Sequence, residues 1–433
     1  MPTTSQARQL QPRSAHGSPG DAAWGNVCDW GQAWGEEQSE RLAALGRIYL
    51  AGRHDAMFAP GGGETQLFKT AEALCELGLD ARIWRPWEDR LRPGDWLHFF
   101  GSCPEFVPLS AAARQQGVRV AVSTIAWFSA QALWHEAPSL RQGMARVARF
   151  AVRAAMPAIP SWRRRLYHLA DRLLPNSQVE AKQLCRHFRV PSDKISVVPN
   201  AADLRFAAAT ADAFERQFGL RDFVLYSGRI EPRKNQLGFL QAMRGSTRPI
   251  VILGDAVPGH EAYYRRCRAE AGPNVTFLAR LPHDGQLLAS CYAACRCLVL
   301  TSLFETPGLV ALEAGAQGVP LVLTDRGCTR EYFGHHACYV SPLDWAAIRQ
   351  VVESAATQPR CARRAAHVAS HFSWQAAARA TAAAYFASTQ SAFAEKDAAC
   401  SRNPSGEDSG AAHTPTRPAS ACGLAGCWDA TGT

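Results

Sequence analysis

Residues 304–320 read F-E-T-P-G-L-V-A-L-E-A-G-A-Q-G-V-P and place two glutamates, Glu305 and Glu313, around a proline and a glycine. Proline suits the first position of a helix, because its missing N–H would have no partner there and its φ is already helical. We therefore predict a helix that begins near Pro307, with one glutamate before it and one in its second turn. The first N–H groups of this helix then point between the two carboxylates and outline a polar pocket. They belong to Gly308, Leu309 and Val310.

The composition indicates a large globular protein. The chain has 433 residues, of which 47% are hydrophobic and 20% charged, and this favours two domains over one. It contains no run of about eighteen or more apolar residues, and its N-terminus has no apolar stretch typical of a secretory signal. Fourteen cysteines are scattered without zinc-ligand spacing. We therefore expect a cytoplasmic protein with reduced thiols and no metal site.

The net charge of +9 comes mainly from arginine and is compatible with an anionic partner. Zinc-finger spacing, RNA-binding signatures and basic runs interleaved with aromatic residues are missing, so we expect no nucleic-acid partner. The densest basic stretch is residues 141–172, where Asp171 is the only acid. A helix there could rest on the inner face of an anionic membrane, or it could be a solvated helix face. Its arginines are Arg141, Arg146, Arg149 and Arg153.

Short apolar runs alternate with helical patterns between residues 45 and 388. Apolar runs of this kind indicate parallel strands that helices cover on both faces. The sequence therefore predicts an α/β protein with two doubly wound, Rossmann-like domains that face a cleft. The predicted strands are 47–51, 81–84, 95–100, 118–123, 172–175, 195–199, 223–228, 249–254, 275–279, 297–301, 320–324 and 338–341.

The domain boundaries follow from the same patterns. Residues 1–40 lack periodicity and are predicted to form a flexible arm. We assign residues 41–204 to an N-terminal domain and residues 205–370 to a C-terminal domain. Residues 389–433 are rich in Ser, Gly, Ala and Pro and are predicted to be a disordered tail.

A glycine-rich loop, G-G-G-E-T-Q-L-F-K-T at residues 61–70, follows a predicted strand and opens a helix. The glycines Gly61, Gly62 and Gly63 permit close backbone approach to a ligand, although a tight turn would also explain them. Gln66 stands where a dinucleotide fingerprint needs its third glycine, which disfavours a dehydrogenase. The apolar stripe of the helix is predicted to contain Leu67, Phe68, Ala71, Leu74 and Leu77.

A second loop, S-G-R-I-E-P-R-K-N-Q at residues 227–236, follows the first strand of the C-terminal domain. Its Arg229 and Lys234 supply a forked guanidinium and a compact ammonium, which suit a diphosphate that no metal neutralises. Without other context the two could equally be solvated loop cations.

The paired glutamates of the first stretch could be the acid and the nucleophile of a glycoside hydrolase. Their placement around a helix start favours another interpretation. The helix N-terminus can hold phosphate or sugar oxygens, Glu305 can accept hydrogen bonds from sugar hydroxyls, and Glu313 can reach a ribose. For Glu313 an ordinary helix glutamate is the alternative.

Together these motifs resemble the retaining glycosyltransferases of the GT-B fold, specifically family 4 (group 1), over about residues 45–388. G-R-I-E-P-R-K-N matches the family pattern G-R-x-x-x-x-K, and E-T-P-G-L-V-A-L-E matches E-x7-E. L-L-P-N-S at residues 173–177 and V-V-P-N-A-A-D at residues 197–203 add to the resemblance.

The resemblance implies a hexosyltransferase-type enzyme that moves a sugar from a nucleotide-diphosphate sugar to a glycan or lipid-linked acceptor, in cell-surface polysaccharide synthesis. It implies no required metal or other cofactor. The N-terminal domain would bind the acceptor, the C-terminal domain would bind the nucleotide sugar, and residues 371–388 would form a helix that crosses back to the N-terminal domain.

The family pattern also assigns roles to residues. Arg229 and Lys234 would bind the donor diphosphate and stabilise its departing charge, and Glu305 would hold the donor sugar, so these three are the candidate catalytic residues. Glu313 would bind the ribose, and Leu281 would meet the base. The remaining predicted binding residues face the diphosphate, the sugar or the acceptor: Gly61, Gly62, Gly63, Gly308, Leu309 and Val310.

One departure bears on catalysis. Many relatives carry a histidine after the fourth strand of the first domain, where this sequence reads S-T-I-A-W at residues 123–127. His135 is a poor substitute, and we do not transfer the role to it. Two alternatives therefore stay open: a catalytically weak nucleotide-sugar-binding or partner protein of the same fold, and a GT-B-like sugar-nucleotide epimerase.

Overall fold

The computed structural model describes residues 45–54, 58, 61–135, 137 and 139–400, with side chains to residue 388. The predicted arm at residues 1–40 lies outside the described residues, as do residues 401–433 of the predicted tail. Ser388 is the last residue of the compact unit that contains both sheets.

The strands fall into two groups along the chain. The first group is β1 (Ile48–Ala51), β2 (Ala81–Ile83), β3 (Trp96–Phe100), β4 (Arg119–Ser123) and β5 (Arg172–Leu173). The second group is β6 (Phe223–Ser227), β7 (Ile250–Leu253), β8 (Val275–Leu278), β9 (Cys295–Leu300), β10 (Leu321–Thr324) and β11 (Cys338–Val340).

Helices connect these strands. They are α1 (Gly62–Glu76), α2 (Phe106–Gln115), α3 (Ala130–His135), α4 (Leu140–Ala155), α5 (Trp162–Leu169), α6 (Gln178–Phe188), α7 (Asp212–Phe218), α8 (Gln236–Ala242), α9 (Glu261–Glu270), α10 (Gln286–Ala294), α11 (Leu309–Ala316), α12 (Thr329–Phe333), α13 (Trp345–Ala355), α14 (Ala362–His371) and α15 (Trp374–Cys400). Short 3₁₀ helices lie at Ser192–Lys194, Leu204–Ala208, Pro232–Lys234 and Gly334–His336.

Each group of strands forms one parallel sheet. In the part of the chain that the structure describes, the first sheet has the order β2-β1-β3-β4-β5 and the second has the order β11-β10-β9-β6-β7-β8. We call β1–β5 with α1–α6 the first lobe, and β6–β11 with α7–α14 the second lobe. The prediction of two doubly wound, Rossmann-like units is confirmed. Every residue of β1, β3, β6, β7 and β10 is buried. This is expected of parallel strands that helices cover on both faces.

The strand order decides where a ligand can bind. In each sheet the first strand has neighbours on both sides: β1 lies between β2 and β3, and β6 lies between β7 and β9. Strands that follow in the sequence are added on opposite sides of β1 and of β6, so the loops at the carboxyl ends of the central strands leave a crevice between them. The glycine loop follows β1, the Arg229 loop follows β6, and the Glu305 loop follows β9.

The predicted strand at residues 195–199 was wrong. An isolated bridge pairs Ile195 with Leu173, and two N–H groups of the segment donate to the carbonyls of Leu173 and Pro175 at 2.9 and 3.0 Å. Pro175 and Pro199 have no N–H to donate, so a regular ladder cannot form.

The stripe predicted for α1 was wrong at one position. Leu67, Ala71 and Leu74 are buried, as predicted, but Phe68 is 48% exposed. Spacings of four and three residues return to the same helix face, whereas the neighbour of Leu67 is rotated by about 100°. Phe68 therefore points to the crevice instead of the core.

Helix α15 packs against the first lobe. Trp374, Ala378 and Tyr385 belong to the apolar cluster that contains Trp96 of β3. The Tyr385 hydroxyl bonds to Nδ1 of buried His98 at 2.6 Å, and the Tyr385 ring centroid lies 4.6 Å from that of Trp96. The helix begins at Trp374, three residues after the predicted start, and continues to Cys400, so residues 389–400 of the predicted tail are helical.

Helix α4 has an exposed apolar row. Leu140, Met144 and Val152 of α4 and its C-cap residue Met156 are between 52% and 72% exposed, and at about 100° per residue they spread over about 160° of the helix circumference. Arg141, Arg149 and Arg153 are exposed on the same helix. Among the helices of the described residues, none is long and apolar enough to span a membrane.

Candidate functional site

A cavity of about 700 Å³ lies between the two lobes. It is lined from the first lobe by the glycine loop and from the second lobe by the loops after β6 and β9. Every predicted site residue lines it: Gly61, Gly62, Gly63, Arg229, Lys234, Leu281, Glu305, Gly308, Leu309, Val310 and Glu313.

Lys234 and Glu305 form a buried ion pair at the second-lobe wall. Lys234 Nζ donates to Glu305 Oε1 at 2.6 Å, and their side chains are 12% and 3% exposed. Ser302 Oγ donates to the same oxygen at 2.5 Å. Burial raises the pKa of Glu305, but the charges of Lys234 and Arg233 outweigh burial and leave that pKa below its ordinary value. The carboxylate is therefore ionised at neutral pH.

The loop after β6 holds Lys234 in place. Pro232–Lys234 is one turn of 3₁₀ helix, and Asn235 follows in the left-handed conformation with φ +59°. Asparagine tolerates this conformation better than most residues do. Its amide donates to the carbonyls of Thr301 and Pro342 at 3.0 and 2.8 Å, which joins the loop to the end of β9.

Arg229 is less restrained than Lys234. Its side chain is 34% exposed, and Nη2 lies 3.4 Å from Glu231 Oε1. Arg233 lies closer to that carboxylate oxygen, at 2.8 Å. A Cβ added to Gly61 would lie 3.5 Å from the guanidinium carbon of Arg229. The glycine loop therefore faces the guanidinium across a narrow space that a larger side chain would fill.

The helix predicted to begin near Pro307 begins at Leu309, with Gly308 as its N-cap. Gly308 has φ +86°, and a Cβ there would lie 3.2 Å from Glu305 Oε2. Only glycine adopts that backbone conformation readily, and only glycine has no Cβ that would crowd the Glu305 carboxylate. Because the conformation of Gly308 is not helical, the helix cannot start earlier. Gly308, Leu309 and Val310 line the cavity, so α11 begins at its wall.

Glu313 lies on α11 and is 2% exposed. His283 Nε2 bonds to its Oε1 at 2.7 Å, and the Tyr292 hydroxyl donates to its Oε2 at 2.6 Å. Burial lowers the pKa of His283, but the hydrogen bond and charge of Glu313 more than offset burial and leave that pKa raised. Two partners thus hold the Glu313 carboxylate at the cavity wall.

The loop after β4 contributes Ile125 to the cavity. Ile125 lies in the stretch S-T-I-A-W at residues 123–127, where the family histidine is missing. His135 lies on α3 and does not line the cavity. The first-lobe wall at this point is therefore apolar, while the second-lobe wall is charged.

Several cavity residues were not predicted from the sequence. His283 lies in the stretch F-L-A-R-L-P-H, whose role was placed on Leu281, and Arg233 lies in the loop where Arg229 and Lys234 were chosen. In the stretch F-L-A-R-L-P-H, His283 is the ionisable residue that follows the proline, and this position could have marked it as a candidate. Among the described residues, no group of three or more His, Cys, Asp or Glu side chains is arranged to hold a metal ion.

Comparison with known families agrees with this geometry. The family model described as glycosyl transferases group 1 matches residues 211–370, and the model described as glycosyltransferase family 4 matches residues 60–206. Together the two matches cover more than half of the chain. The chain belongs to the group 1, family 4 glycosyltransferases. The family predicted from the motifs is thus confirmed.

Curated relatives of this glycosyltransferase include D-inositol 3-phosphate glycosyltransferases. The protein from Paenarthrobacter aurescens is 30% identical over 238 residues, which are 50% of this chain and 57% of the relative. The protein from Geodermatophilus obscurus is 32% identical over 243 residues, which are 51% of this chain and 53% of the relative. The match spans little more than half the length of these relatives.

Solved structures share the GT-B fold at low identity. Sucrose-phosphate synthase from Thermosynechococcus elongatus has a TM-score of 0.51 and 16% identity, covering 82% of this chain and all of that one. HepE from Anabaena, solved in complex with UDP, has a TM-score of 0.50 and 16% identity, with the same coverage. At this identity the likeness concerns the fold alone.

Proposed function

We propose that this glycosyltransferase moves a sugar from a nucleotide-diphosphate sugar to a hydroxyl group of its acceptor, with retention of the anomeric configuration. The observation that carries the proposal is the cluster of Arg229, Lys234 and Glu305 beside the N-terminus of α11. Cations and helix N–H groups together suit a diphosphate, and a carboxylate suits sugar hydroxyls. The UDP bound in the Anabaena neighbour motivates a nucleoside diphosphate as the first ligand to test.

In the proposed reaction the bond from the anomeric carbon to the diphosphate oxygen breaks, and the acceptor oxygen bonds to the same carbon from the same face. Arg229 and Lys234 stabilise the negative charge that develops on the leaving diphosphate, and the acceptor proton passes to the departing phosphate oxygen. The lone pairs of Glu305 Oε1 already accept from Lys234 and Ser302. This favours a role in holding the donor sugar over a role as nucleophile.

The other binding roles are part of the same proposal. Glu313, with His283 and Tyr292, binds the ribose, and the backbone near Leu281 meets the base. The glycine loop, Gly61–Gly63, faces the diphosphate from the first lobe. Gly308, Leu309 and Val310 present N–H groups to the donor.

We further propose a glycan or lipid-linked acceptor used in cell-surface polysaccharide synthesis, at the inner face of the cytoplasmic membrane. The exposed row of Leu140, Met144 and Val152 with the arginines of α4 supports contact with an anionic lipid surface. Ten cysteines whose side chains are described are free thiols, which suits a reducing compartment.

Donor turnover tests the reaction. Purified protein is incubated with UDP-glucose, UDP-N-acetylglucosamine or GDP-mannose, all α-linked donors, and early products are followed by proton NMR. Retention predicts that the α anomer appears first, and Glu305→Gln should abolish turnover. Initial release of the β anomer would contradict retention.

A further inference from the structure

The loop after β4 holds a strained residue at the crevice. Ile125 has φ +42°, in the left-handed region that a β-branched side chain rarely adopts. Its side chain lines the cavity, and its Cδ1 lies 3.7 Å from the position that a Cβ would take on Gly63. Strained backbone persists only where its surroundings hold it. The contacts around Ile125 must therefore stabilise this backbone conformation.

Glu180 of α6 brackets this residue from inside the first lobe. Its Oε1 accepts from the Thr124 hydroxyl at 2.5 Å and from the Ala126 N–H at 2.7 Å, one residue on each side of Ile125. Its Oε2 accepts from the Asn176 N–H at 2.9 Å. Glu180 is fully buried, so water does not compete for these hydrogen bonds.

The loop is also held at its two ends. Ser102 Oγ donates to the Thr124 carbonyl at 2.8 Å. The Trp127 ring lies 6.2 Å from the ring of Phe304, at an interplanar angle of 21°, and Phe304 precedes Glu305 in the second lobe. The loop thus has one defined conformation and reaches the segment that carries the proposed donor-sugar carboxylate.

Ile125 of the first lobe and Leu309 of the second lobe are apolar residues that line the same cavity. Leu309 Cδ1 lies 3.5 Å from the Cβ position of Gly62, so Ile125 and Leu309 cover the glycine loop from two sides. Neither side chain offers a hydrogen bond to water. Arg229, Lys234 and Glu305 line the same cavity.

We propose that Ile125 is a specificity-determining residue that keeps water away from the donor sugar, and that Glu180 is a positioning residue that fixes Ile125 in that place. The proposal rests on the proposed glycosyl transfer. The reaction that Ile125 suppresses is hydrolysis: the water oxygen bonds to the anomeric carbon, the bond to the diphosphate breaks, the nucleoside diphosphate leaves and the proton of the water passes to the buffer.

The test compares Ile125→Gly with the wild type. Glycine adopts φ +42° without strain, and this relief offsets part of the stability lost when the partly buried isoleucine side chain is removed. The cavity at the same time loses its apolar wall. The donor used is the one among UDP-glucose, UDP-N-acetylglucosamine and GDP-mannose that gives the largest thermal shift. Its hydrolysis should rise about tenfold in the variant, since small changes in access and positioning have effects of this order. The thermal shift by that donor should be unchanged.

Arg189→Gly is the matched control. Arg189 ends α6 with φ +51°, is exposed and does not line the cavity, so its replacement should leave hydrolysis unchanged. Hydrolysis by Ile125→Gly within about twofold of wild type, with donor binding retained, would overturn this proposal alone. Wild-type protein that binds none of the three donors would overturn the proposed function, and this inference with it.

A double-mutant cycle separates positioning by Glu180 from a purely structural role. Glu180→Gln keeps an acceptor for Thr124 and Ala126 but turns an NH₂ group toward the Asn176 N–H. It should raise hydrolysis in the wild-type background and have no further effect in the Ile125→Gly background, because both changes act through one residue. Equal effects of Glu180→Gln in both backgrounds would show that Glu180 does not act through Ile125.

Discussion

At the scale of single residues, the central feature is the ion pair of Lys234 with Glu305. Both groups are nearly excluded from water, and each needs the other, because an unpaired buried charge is costly. The pair therefore holds a carboxylate and an ammonium in fixed positions before any ligand arrives. A preorganised site of this kind requires little rearrangement when a charged donor binds.

Removal of Lys234 should cost stability as well as binding. Lys234→Ala leaves Glu305 buried without its cation, and we expect a loss of about 3–5 kcal/mol in the free energy of unfolding. Lys234→Ala with Glu305→Gln leaves no orphan charge and should recover part of that loss. Urea denaturation of both variants measures the difference. Equal stability of the single and double variants would show that the pair is not buried in solution.

The contact between His283 and Glu313 predicts a pH dependence. Glu313 raises the pKa of His283 above its ordinary value, so the stability that charged His283 contributes is full below about pH 6.5. It is lost as the pH rises through the raised pKa of the folded state. NMR titration should show that Glu313→Gln lowers the pKa of His283. An unchanged pKa in the variant would contradict the contact.

The residues also show what sequence reasoning could reach. The spacing of Arg229, Lys234, Glu305 and Glu313 sufficed to predict residues that line one cavity. The bond from His283 to Glu313 depends on how the loop after β8 folds over α11, and no spacing in the sequence encodes it. The left-handed conformation of Ile125 was equally out of reach, since isoleucine itself disfavours it.

At the scale of secondary structure elements, α4 has a surface for which the sequence allowed two interpretations. It could be a solvated helix face, or it could rest on a membrane. The structure exposes Leu140, Met144 and Val152 within about 120° of the circumference of α4, and a simple solvated helix would not need these apolar side chains. Boundaries at this scale were predictable within a few residues where apolar runs were regular. They failed where prolines interrupt pairing, as at residues 195–199.

A charge on the exposed row of α4 should weaken membrane contact. Met144→Glu and Val152→Glu together should reduce cosedimentation with phosphatidylglycerol vesicles severalfold, because the carboxylates repel the anionic surface and resist burial in it. Phosphatidylcholine vesicles should bind weakly in every case. Trp345→Glu changes a similarly exposed apolar residue on α13 and should have no effect. Unchanged binding of the double variant would remove α4 as the contact surface.

At the scale of the whole molecule, the two lobes are joined beside the crevice as well as by α15. Glu331 of the second lobe accepts from the N–H groups of Gln178 and Val179, at 2.7 and 3.2 Å, where α6 of the first lobe begins. The Tyr332 hydroxyl donates to the Asn176 carbonyl at 2.6 Å. One short helix, α12, thus supplies hydrogen bonds between the lobes.

Loss of these bonds should loosen the molecule without altering either sheet. Glu331→Ala removes an acceptor from the start of α6, and we expect a cost of about 1 kcal/mol, as for other helix caps. Hydrogen exchange should rise at the start of α6 and stay unchanged in β6 and β7. Faster exchange in those strands would show that Glu331 supports the second lobe itself rather than the junction.

The most direct test of the account is whether the crevice binds a nucleoside diphosphate without a metal. Thermal shift with UDP, GDP and ADP in the presence of EDTA should show stabilisation by one of them, in proportion to affinity and concentration. Arg229→Ala should weaken that binding about tenfold or more, since hydrogen bonds to charged groups contribute roughly 1.5–3 kcal/mol. Arg244→Ala, an exposed arginine paired with Glu270, should not change it. No shift with any nucleotide, or an equal shift in Arg229→Ala, would contradict the assignment of this cavity as the donor site.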